Sequence, residues 1–315
     1  MNHMDFRKHI LCLAVFFLGH SAVCIKAQPV GGQWISCPDP DNVSQLFFRQ
    51  SFTFDERPER ARLSVATTGD VIVYINGRNI STDVFTVWQG FGNEAQVKSA
   101  QFDVARFLAE GRNVVAIWYA PHARIPDRRQ LAVSLYGEYD EGDAFAFTTD
   151  DTWLCRYAPA GFTPDGCEYM DGEHTSPSWK TDETGISCWI PVCAVSGNVW
   201  SAFGKCSAQT ERLRVVKVLS PDYFDVESDG ITYDFGTACR GFVRVTLRGT
   251  MRGEHLSVPG LEYVCSGRPD EQAYNTFRMI SCRRLFITGD EHFERSQIQK
   301  VELLVPELLT FPVFE

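Results

Sequence analysis

A short segment between Asp165 and His174 concentrates the residue types that acid–base chemistry requires. It reads DGCEYMDGEH and carries four acidic side chains, at Asp165, Glu168, Asp171 and Glu173. Hydrolysis of a glycosidic bond needs two carboxyl groups roughly 5–10 Å apart on a sugar-binding surface, and Glu168 and Asp171 are the candidates for such a pair. The alternative makes the segment a structural loop whose carboxylates are solvated or accept backbone hydrogen bonds, with His174 an ordinary surface histidine.

A second group of candidates is aromatic and basic, which suits the binding of a saccharide. A pyranose ring has an apolar face and a polar rim, so exposed aromatic rings flanked by polar groups bind it, and arginine suits hydroxyls or uronate carboxylates. Two segments offer this chemistry, VFTVWQGFGNE and YAPHARIPDRRQ. The candidate sugar-binding residues are Trp88, Phe91, Asn93, Tyr119, His122, Arg124 and Arg128. The alternative is that Trp88 only closes the edge of a β-sandwich.

The tripeptide Asp234-Phe235-Gly236 matches the metal-binding segment of protein kinases. The other kinase signatures, a glycine-rich loop, a lysine on the following strand and a His-Arg-Asp loop, do not occur in the sequence. After Gly241, apolar and polar residues alternate up to Gly249. This pattern indicates a strand end, a turn allowed by glycine and then a half-buried strand.

Charge and cysteine content exclude several classes of function. The chain of 315 residues has a formal net charge of −10 and no basic run, which argues against nucleic acid as a partner. Its 11 cysteines include two pairs close enough in sequence for disulfides, Cys155/Cys167 and Cys188/Cys193, although most of the thiols are expected to be buried and free. No metal-ligand spacing occurs, so we expect neither a metal nor another cofactor.

The first 27 residues have the features of a signal peptide. Arg7 and Lys8 precede the short apolar run ILCLAVFFLG, and small residues lead to a cleavage site after Ala27. Cleavage would change the formal net charge from −10 to −12, because it removes three basic residues and one acidic residue. In the alternative, Cys24 becomes a lipid-modified N-terminus. Both interpretations predict export, to the periplasm or the extracellular space, without a transmembrane segment.

The apolar residues follow a period of two along most of the chain. In FFRQSFTF this places Phe48, Phe52 and Phe54 on one face, and Asn76-Gly77 is a strong hairpin signal. One helical pattern occurs in FDVARFLAEG, with Asp103 as its cap and Gly111 after its end. Many short strands joined by turn residues predict an all-β protein of the sandwich type.

The patterning is interrupted between about residues 179 and 212, where polar and turn-forming residues dominate, and strands resume afterwards. The sequence therefore predicts two consecutive β-sandwich domains with one short helix. We place them at residues 28–205 and 206–315, after the signal peptide at 1–27.

Several of these segments together resemble the non-catalytic N-terminal region of bacterial α-L-rhamnosidases. The stretch from Asp234 to Gly249 is similar to the pattern DFGxNxxGxxxxxxxG, with Ala238 in place of the family's asparagine. Upstream, ARLSVATTGDVIVYINGRNI resembles AxLxIxAxGxYxLYVNGxxV, and AQFDVARFLAEGRNVVAIWY resembles YDVTxxLxxGxNVIAV. FTTDDTWLC and CEYMDGEHTSPSW are similar to two further motifs of the family, xTDxSWK and GExYDARxExxxW. The order is that of the family over most of residues 30–290.

The resemblance implies a fold and a set of expectations. Both sandwiches would be of the jelly-roll or galactose-binding-like type, the second one being the domain that precedes the catalytic barrel in the family. Trp34, Trp153 and Trp179 occupy family positions and are expected in the core, as is Trp118 in its apolar strand. The family's catalytic carboxylates belong to a helical barrel that follows these domains. Since the sequence ends at Glu315 without long helical patterning, we expect no such barrel and no activity of this chain alone.

Three functions remain open on this basis. The first is an exported accessory carbohydrate-binding or scaffold protein in polysaccharide degradation, with a saccharide ligand such as a rhamnose-containing one. The second is the N-terminal portion of a split or truncated α-L-rhamnosidase, a glycoside hydrolase whose catalytic barrel would be a separate partner. The third is a free-standing hydrolase that uses the acidic segment around Glu168 and Asp171.

Overall fold

A computed structural model of the protein describes residues 32–80, 84–85, 98–122, 129–181, 188–195 and 211–310. At 84–85, 98–99, 211–213 and 308–310 it describes the backbone alone.

The described chain is built of β-strands joined by turns and short 3₁₀-helices. The strands of the first part are β1 (Ile35–Ser36), β2 (Ser44–Phe54), β3 (Arg60–Thr67), β4 (Asp70–Ile75), β5 (Arg78–Asn79), β6 (Val84–Phe85), β7 (Lys98–Asp103), β8 (Gly111–Ala120), β9 (Leu131–Glu138), β10 (Ala144–Thr148), β11 (Leu154–Phe162), β12 (Glu168–Asp171), β13 (Ile190–Pro191) and β14 (Cys193–Ala194). Those of the second part are β15 (Glu211–Leu219), β16 (Tyr223–Val226), β17 (Ile231–Leu247), β18 (His255–Val258), β19 (Leu261–Val264), β20 (Glu271–Tyr274), β21 (Ile280–Gly289) and β22 (Ile298–Thr310). Short 3₁₀-helices lie at Ala105–Phe107, Pro177–Lys180 and Arg295–Gln297.

These strands form two sheets. The smaller has 6 strands in the order β14-β1-β9-β3-β7, with β10 also paired to β9. The larger has 16 strands, in the order β5-β4-β8-β2-β11-β12-β19-β18-β21-β17-β22-β15-β6, with β13, β16 and β20 attached at its sides. The all-β fold predicted from the alternation of apolar residues is therefore confirmed.

The larger sheet continues across the domain boundary predicted at residue 205. β12 pairs in parallel with β19, from Glu168 opposite Leu261 to Asp171 opposite Val264. The two parts are thus joined by backbone hydrogen bonds as well as by side-chain packing. The division at 205/206 itself stays a prediction.

Strands β2, β4 and β8 are buried on both faces, and this arrangement creates two cores. In β8, Val115, Ile117 and Tyr119 pack into a cluster with the smaller sheet. The alternate residues of the same strand, among them Val114 and Trp118, join a second cluster that includes residues of β17, β18, β19 and β21. Because both faces are covered, the strand reads as the unbroken apolar run VVAIWYA and not as a strict alternation.

Local predictions can be compared with the structure directly. Asn76 and Gly77 have φ values of 50° and 78° and join β4 to β5 in a two-residue hairpin, as predicted. The four tryptophans expected in the core are buried: Trp34, Trp118, Trp153 and Trp179.

The helix predicted in FDVARFLAEG was too long. Asp103 is the last residue of β7, and only Ala105–Phe107 are helical, in a 3₁₀-helix that begins after Val104. Pairing of Arg62 with Asp103 keeps the first part of the segment in the sheet. Strand pairing here overrides a weak helical pattern.

Candidate functional site

Glu168 lies at the junction of the two parts and is completely enclosed. It is 1% exposed, and its backbone N–H donates to the Gly260 carbonyl at 3.0 Å. Its carboxylate accepts hydrogen bonds from the backbone N–H groups of Thr276 (2.8 Å), Phe277 (2.7 Å) and Arg278. One side chain of β12 thus organises the loop between β20 and β21, more than a hundred residues away.

Burial governs the protonation of this carboxyl group. Removal from water raises the pKa of Glu168 to about 7, and the three backbone N–H groups offset only part of that effect. A raised pKa in a carboxyl group often marks a general acid. A general acid must also reach the substrate, and both oxygens of Glu168 are taken up by backbone donors in the interior.

The structure therefore separates the two carboxylates proposed as a catalytic pair. Glu168 belongs to the interior and is an anchor for a loop, so its assignment as a weak catalytic candidate is corrected. Asp171, at the other end of β12, lies near the surface and accepts a hydrogen bond from His174 Nδ1 at 2.7 Å. The acidic segment is structural on its buried side, as the alternative interpretation holds.

Asp171, Glu173 and His174 are the described residues that come nearest to a cation site. One potential ligand atom from each lies within 4.8 Å of the others. Each carboxylate already has a charged or polar partner, since Asp171 pairs with His174 and Glu173 pairs with Arg252 at 2.5 Å. Asp171 also raises the pKa of His174 through their hydrogen bond. The arrangement is that of paired surface charges.

A polar groove of about 530 Å³ lies beside this cluster. Its lining comes from two turns, and the lining residues are Met251, Arg252, Gly253, Glu254, Asp290, Glu291 and His292. Asp290 holds one wall in place, because its carboxylate accepts hydrogen bonds from the backbone of His255 and His292. The sequence analysis did not single out these residues, since they lie in turns that are distant in sequence.

Asp234 of the Asp-Phe-Gly tripeptide is a second fully buried carboxylate. Its oxygens accept hydrogen bonds from Arg284 Nε (2.8 Å), Arg283 Nε (3.2 Å), the Tyr223 hydroxyl (2.9 Å) and the Gly236 backbone (2.7 Å). The Arg284 guanidinium, foremost among these partners, holds the pKa of Asp234 well below its usual range. These partners occupy the carboxylate, so the kinase-type metal role is excluded on structural as well as sequence grounds.

The turn predicted after Asp234 is instead an irregularity inside one long strand. β17 runs from Ile231 to Leu247, and its pairing with β21 shifts register between Asp234 and Cys239. Gly236 lies in this irregularity with a φ of 71°. A bulge often places one residue in the left-handed conformation, which glycine adopts readily. Gly241 is needed for a different reason, because a Cβ there would clash with the Leu304 carbonyl oxygen.

The predicted sugar-binding residues are only partly within the described chain. Trp88, Phe91, Asn93, Arg124 and Arg128 lie outside the described residues.

Two of the predicted sugar-binding residues can be placed. Tyr119 is fully buried, and its hydroxyl lies 3.2 Å from Thr68 Oγ1, so its place at a sugar-binding rim is corrected: it points into the first core because β8 alternates there. His122 follows the end of β8 and is partly exposed.

Strand register places two described residues that flank the candidate segments, Lys98 and Leu131, near each other. Lys98, which follows residues 86–97, pairs with Thr67 in β3. Thr67 also pairs with Leu131, which lies just after residues 123–128. Because neighbouring strands are about 4.8 Å apart, Lys98 and Leu131 are about 10 Å from each other at one end of the smaller sheet.

A further surface with aromatic and basic residues was missed by the sequence analysis. Tyr223 and Phe224 on strand β16 are 44% and 42% exposed. The Arg295 guanidinium lies 3.9 Å from the centre of the Phe224 ring, and Arg283 and Arg284 are more than half exposed nearby on Asp234. Only the adjacent pair of aromatic residues in a polar context could have indicated this surface from sequence.

Comparisons with known proteins agree with this architecture. Residues 56–206 match the family model of the alpha-L-rhamnosidase N-terminal domain. No curated protein matches the chain by sequence.

Solved structures of α-L-rhamnosidases share the fold. The enzyme from Dictyoglumus thermophilum superposes with a TM-score of 0.75 at 19% identity, over 89% of this chain and 36% of its own. The enzyme from Aspergillus terreus superposes with a TM-score of 0.73 at 16% sequence identity, over 88% of this chain and 36% of the enzyme. The Streptomyces avermitilis enzyme complexed with L-rhamnose superposes with a TM-score of 0.70 at 17% sequence identity, over 85% of this chain and 29% of the enzyme.

This chain thus spans about a third of the length of these enzymes. The resemblance to the N-terminal, non-catalytic region of α-L-rhamnosidases is confirmed. Within the residues that the structure describes, no helix has the length and apolar character needed to cross a membrane.

Proposed function

We propose that this chain is an exported accessory protein that binds a saccharide and works beside enzymes that degrade polysaccharides. The observation that supports it most is the match of nearly the whole chain to about a third of each α-L-rhamnosidase. The Streptomyces avermitilis enzyme was solved with L-rhamnose. Rhamnose-containing glycans are therefore the first ligands to test.

Carboxylate geometry supports a binding role over a hydrolytic one. Glu168 is enclosed by backbone donors, and Asp171 is paired with His174. Neither carboxylate is free on a sugar-binding surface, although the retaining and the inverting mechanisms of glycosidases both require a pair of such groups. We infer that this chain has no glycosidase activity of its own.

We propose that the saccharide binds at the end of the smaller sheet where Lys98 and Leu131 lie. Stacking on the sugar face would come from the rings of Trp88 and Phe91. Polar contacts to its hydroxyl groups would come from Asn93, His122, Arg124 and Arg128. This placement is supported by the pairing of Lys98 and Leu131 with the same residue, Thr67, from the strands on either side of it. A ring stacked on a sugar face typically contributes a large share of the affinity.

A glycan array followed by affinity electrophoresis tests the proposal on the full mature chain. Binding to a rhamnose-containing glycan is expected, and Trp88→Ala should weaken it at least tenfold. Phe224→Ala is the matched control, because it removes an exposed ring from a different surface. If Phe224→Ala abolishes binding and Trp88→Ala does not, the site is at β16. If no glycan binds, the proposed function is wrong.

A second candidate function is favoured by the same coverage. The chain can be the N-terminal portion of a split or truncated α-L-rhamnosidase whose catalytic barrel is supplied separately. The DNA immediately downstream of the coding sequence should then encode a helical barrel with acidic motifs, in frame or after a frameshift. Adding the expressed barrel to this chain should give a stable complex that cleaves an α-L-rhamnoside.

Export and the absence of intrinsic hydrolysis have simple tests. Mass spectrometry of the protein secreted by its native host should give an N-terminus after Ala27, or a lipid on Cys24. A panel of p-nitrophenyl glycosides should release no p-nitrophenol above the blank. Turnover that disappears in Asp171→Asn would instead support the free-standing hydrolase.

A further inference from the structure

Three cysteines from distant parts of the sequence lie in or beside the first core. Cys37 directly follows β1, Cys155 lies in β11, and Cys193 begins β14. Cys37 and Cys155 are both 0% exposed and belong to the same hydrophobic cluster, whereas Cys193 is exposed. The sheet brings them together because β1 pairs with β14, with Ser36 opposite Cys193.

Residues 190–193 bring Cys37 and Cys155 together, because this short segment pairs with the strands of both: Ile190 lies opposite Cys155, and Cys193 lies opposite Ser36. The backbone around them closes the group, since Cys155 Sγ lies 3.9 Å from the Pro191 carbonyl oxygen. Cys193 Sγ lies 3.4 Å from the carbonyl oxygen of Ser36, the neighbour of Cys37. Both cysteines are therefore buried in one cluster beside the same short segment, which is the proximity that a disulfide bond requires.

The two buried sulfurs are electrostatically unequal. The interaction with Cys155, together with the positive charge of Arg129, lowers the pKa of the Cys37 thiol. The interaction with Cys37, together with burial and the nearby Cys193, raises the pKa of the Cys155 thiol. Cys37 is therefore the more easily formed thiolate of the buried pair.

We propose that Cys37 and Cys155 form a disulfide bond, and that Cys193 is the exposed thiol through which this bond is made and broken. The bond would tie the start of the described chain to the middle of the first core. It is independent of the proposed saccharide binding.

Formation requires an oxidant, which a small disulfide such as oxidised glutathione supplies. The Cys193 thiolate attacks one glutathione sulfur, breaks the S–S bond of the oxidant and releases one glutathione thiolate. The Cys155 thiol then attacks Cys193 Sγ and breaks its bond to glutathione, and the Cys155 proton passes to the departing glutathione thiolate, which leaves as the second thiol. Finally the Cys37 thiolate attacks Cys155 Sγ, which forms the Cys37–Cys155 bond and releases Cys193.

The balance is that of simple thiol oxidation. Cys37 and Cys155 together lose two protons and two electrons, and one oxidised glutathione becomes two reduced glutathione molecules. Cys193 ends as the thiol it was at the start. Reduction by excess glutathione follows the same steps in reverse, and Cys37, as the thiolate of lower pKa, is the better leaving group.

The pairs suggested by sequence proximity are placed differently. Cys167 Sγ lies 3.2 Å from an oxygen of Asp165, and Cys188 Sγ lies 3.2 Å from Arg156 Nη1. Among the described cysteines, the contact between Cys37 and Cys155 joins residues that no sequence rule would pair. The proposal therefore predicts one particular linkage out of many.

Peptide mapping of the full mature chain is the first test. The folded protein is incubated with oxidised glutathione, the remaining thiols are alkylated in denaturant, and the digest is analysed by mass spectrometry. A linked peptide pair containing Cys37 and Cys155 is expected. Complete alkylation of both cysteines, or a dominant Cys155–Cys167 or Cys188–Cys193 linkage, would overturn the proposal.

The rate of formation tests the role of Cys193. Cys193→Ser should still form the Cys37–Cys155 bond but at least tenfold more slowly, because the buried sulfurs then meet the oxidant directly. Cys188→Ser is the matched control, since it removes an exposed thiol nearby in sequence and should leave the rate unchanged. Equal rates in the wild type and both variants would show that Cys193 takes no part.

Discussion

Glu168 and Asp234 are both buried carboxyl groups in segments whose residue types suggested catalysis. Their surroundings shift the two pKa values in opposite directions. Glu168 receives only neutral backbone donors, and burial raises its pKa to about 7. Asp234 receives two guanidinium groups, a hydroxyl and one backbone N–H, and its pKa is lowered. Burial alone therefore does not decide the protonation of a carboxyl group, because the charge of its partners does.

The difference follows from where the two residues lie. Glu168 is at the junction of the two parts, where β12 meets β19 and the charge of Arg278 lowers its pKa less than burial raises it. Asp234 is at the side of the second part, where Arg283 and Arg284 reach it from the surface with half of their own side chains in solvent. The first site organises a loop in the interior, and the second fixes a bulged strand at the periphery.

The largest effect is expected from truncating Glu168. Glu168→Ala leaves three buried backbone N–H groups without acceptors, and each such group is costly. We expect a loss of about 4 kcal/mol in the free energy of unfolding, measured by urea denaturation at pH 6. Asp234→Ala should cost clearly less, because its arginines can turn to water. Equal losses would contradict the assignment of Glu168 as an internal anchor.

The pH dependence of stability should have opposite signs at the two sites. The folded-state pKa of Glu168 lies above the unfolded value, so its contribution is present at low pH and is lost as the pH rises from about 4 to 7. This change is about 3 kcal/mol.

The folded-state pKa of Asp234 is lowered, so its contribution is present above pH 4 and lost below it. The test compares wild type, Glu168→Gln and Asp234→Asn by urea denaturation from pH 3 to 8. The advantage of the wild type over Glu168→Gln should shrink with rising pH, and that over Asp234→Asn should grow. Parallel curves for the two variants would refute the comparison.

A smaller effect is expected at the bulge that Asp234 supports. Gly236 has φ of 71°, and a Cβ there would lie close to the Asp222 carboxylate. Gly236→Ala should lower the unfolding free energy by about 1 kcal/mol. Gly142→Ala is the matched control for conformation alone, because its φ is 88° and nothing lies within 4 Å of the added carbon. A larger cost at Gly142 would show that the bulge is not constrained.

The smallest effect is expected from salt, which should change the stability contributed by Asp234 and leave that contributed by Glu168 unchanged. Raising the ionic strength to about 1 M screens charges that reach the solvent and leaves buried ones nearly unaffected. The difference in stability between wild type and Asp234→Asn should therefore shrink in high salt, and that between wild type and Glu168→Gln should not. Thermal melts in low and high sodium chloride measure both differences.

Local sequence patterns predicted much of the fold because they reflect local geometry. Alternation placed Phe48, Phe52 and Phe54 on one face of β2, and all three lie in the first core. The Asn76-Gly77 pair specified its hairpin through two positive φ angles. These features depend on a few neighbouring residues, which a sequence displays directly.

The features that sequence could not give depend on pairing between distant segments. Glu168 becomes an anchor only when residues 276–278 fold over it, and Tyr119 is buried because the smaller sheet covers its face of β8. The placement of Cys37 and Cys155 in one cluster also depends on distant segments. For Glu168 and Tyr119 the residue type suggested chemistry at the surface, and a remote part of the chain determined the surroundings of each.

One measurement tests most directly the claim that this protein binds saccharides and does not cleave them. Saturation-transfer difference NMR on a rhamnose-containing oligosaccharide reports binding and hydrolysis in a single sample. The account predicts saturation transfer to the rhamnose protons with no new reducing-end signals during prolonged incubation. Release of free rhamnose, or the absence of any saturation transfer across a panel of such oligosaccharides, would contradict it.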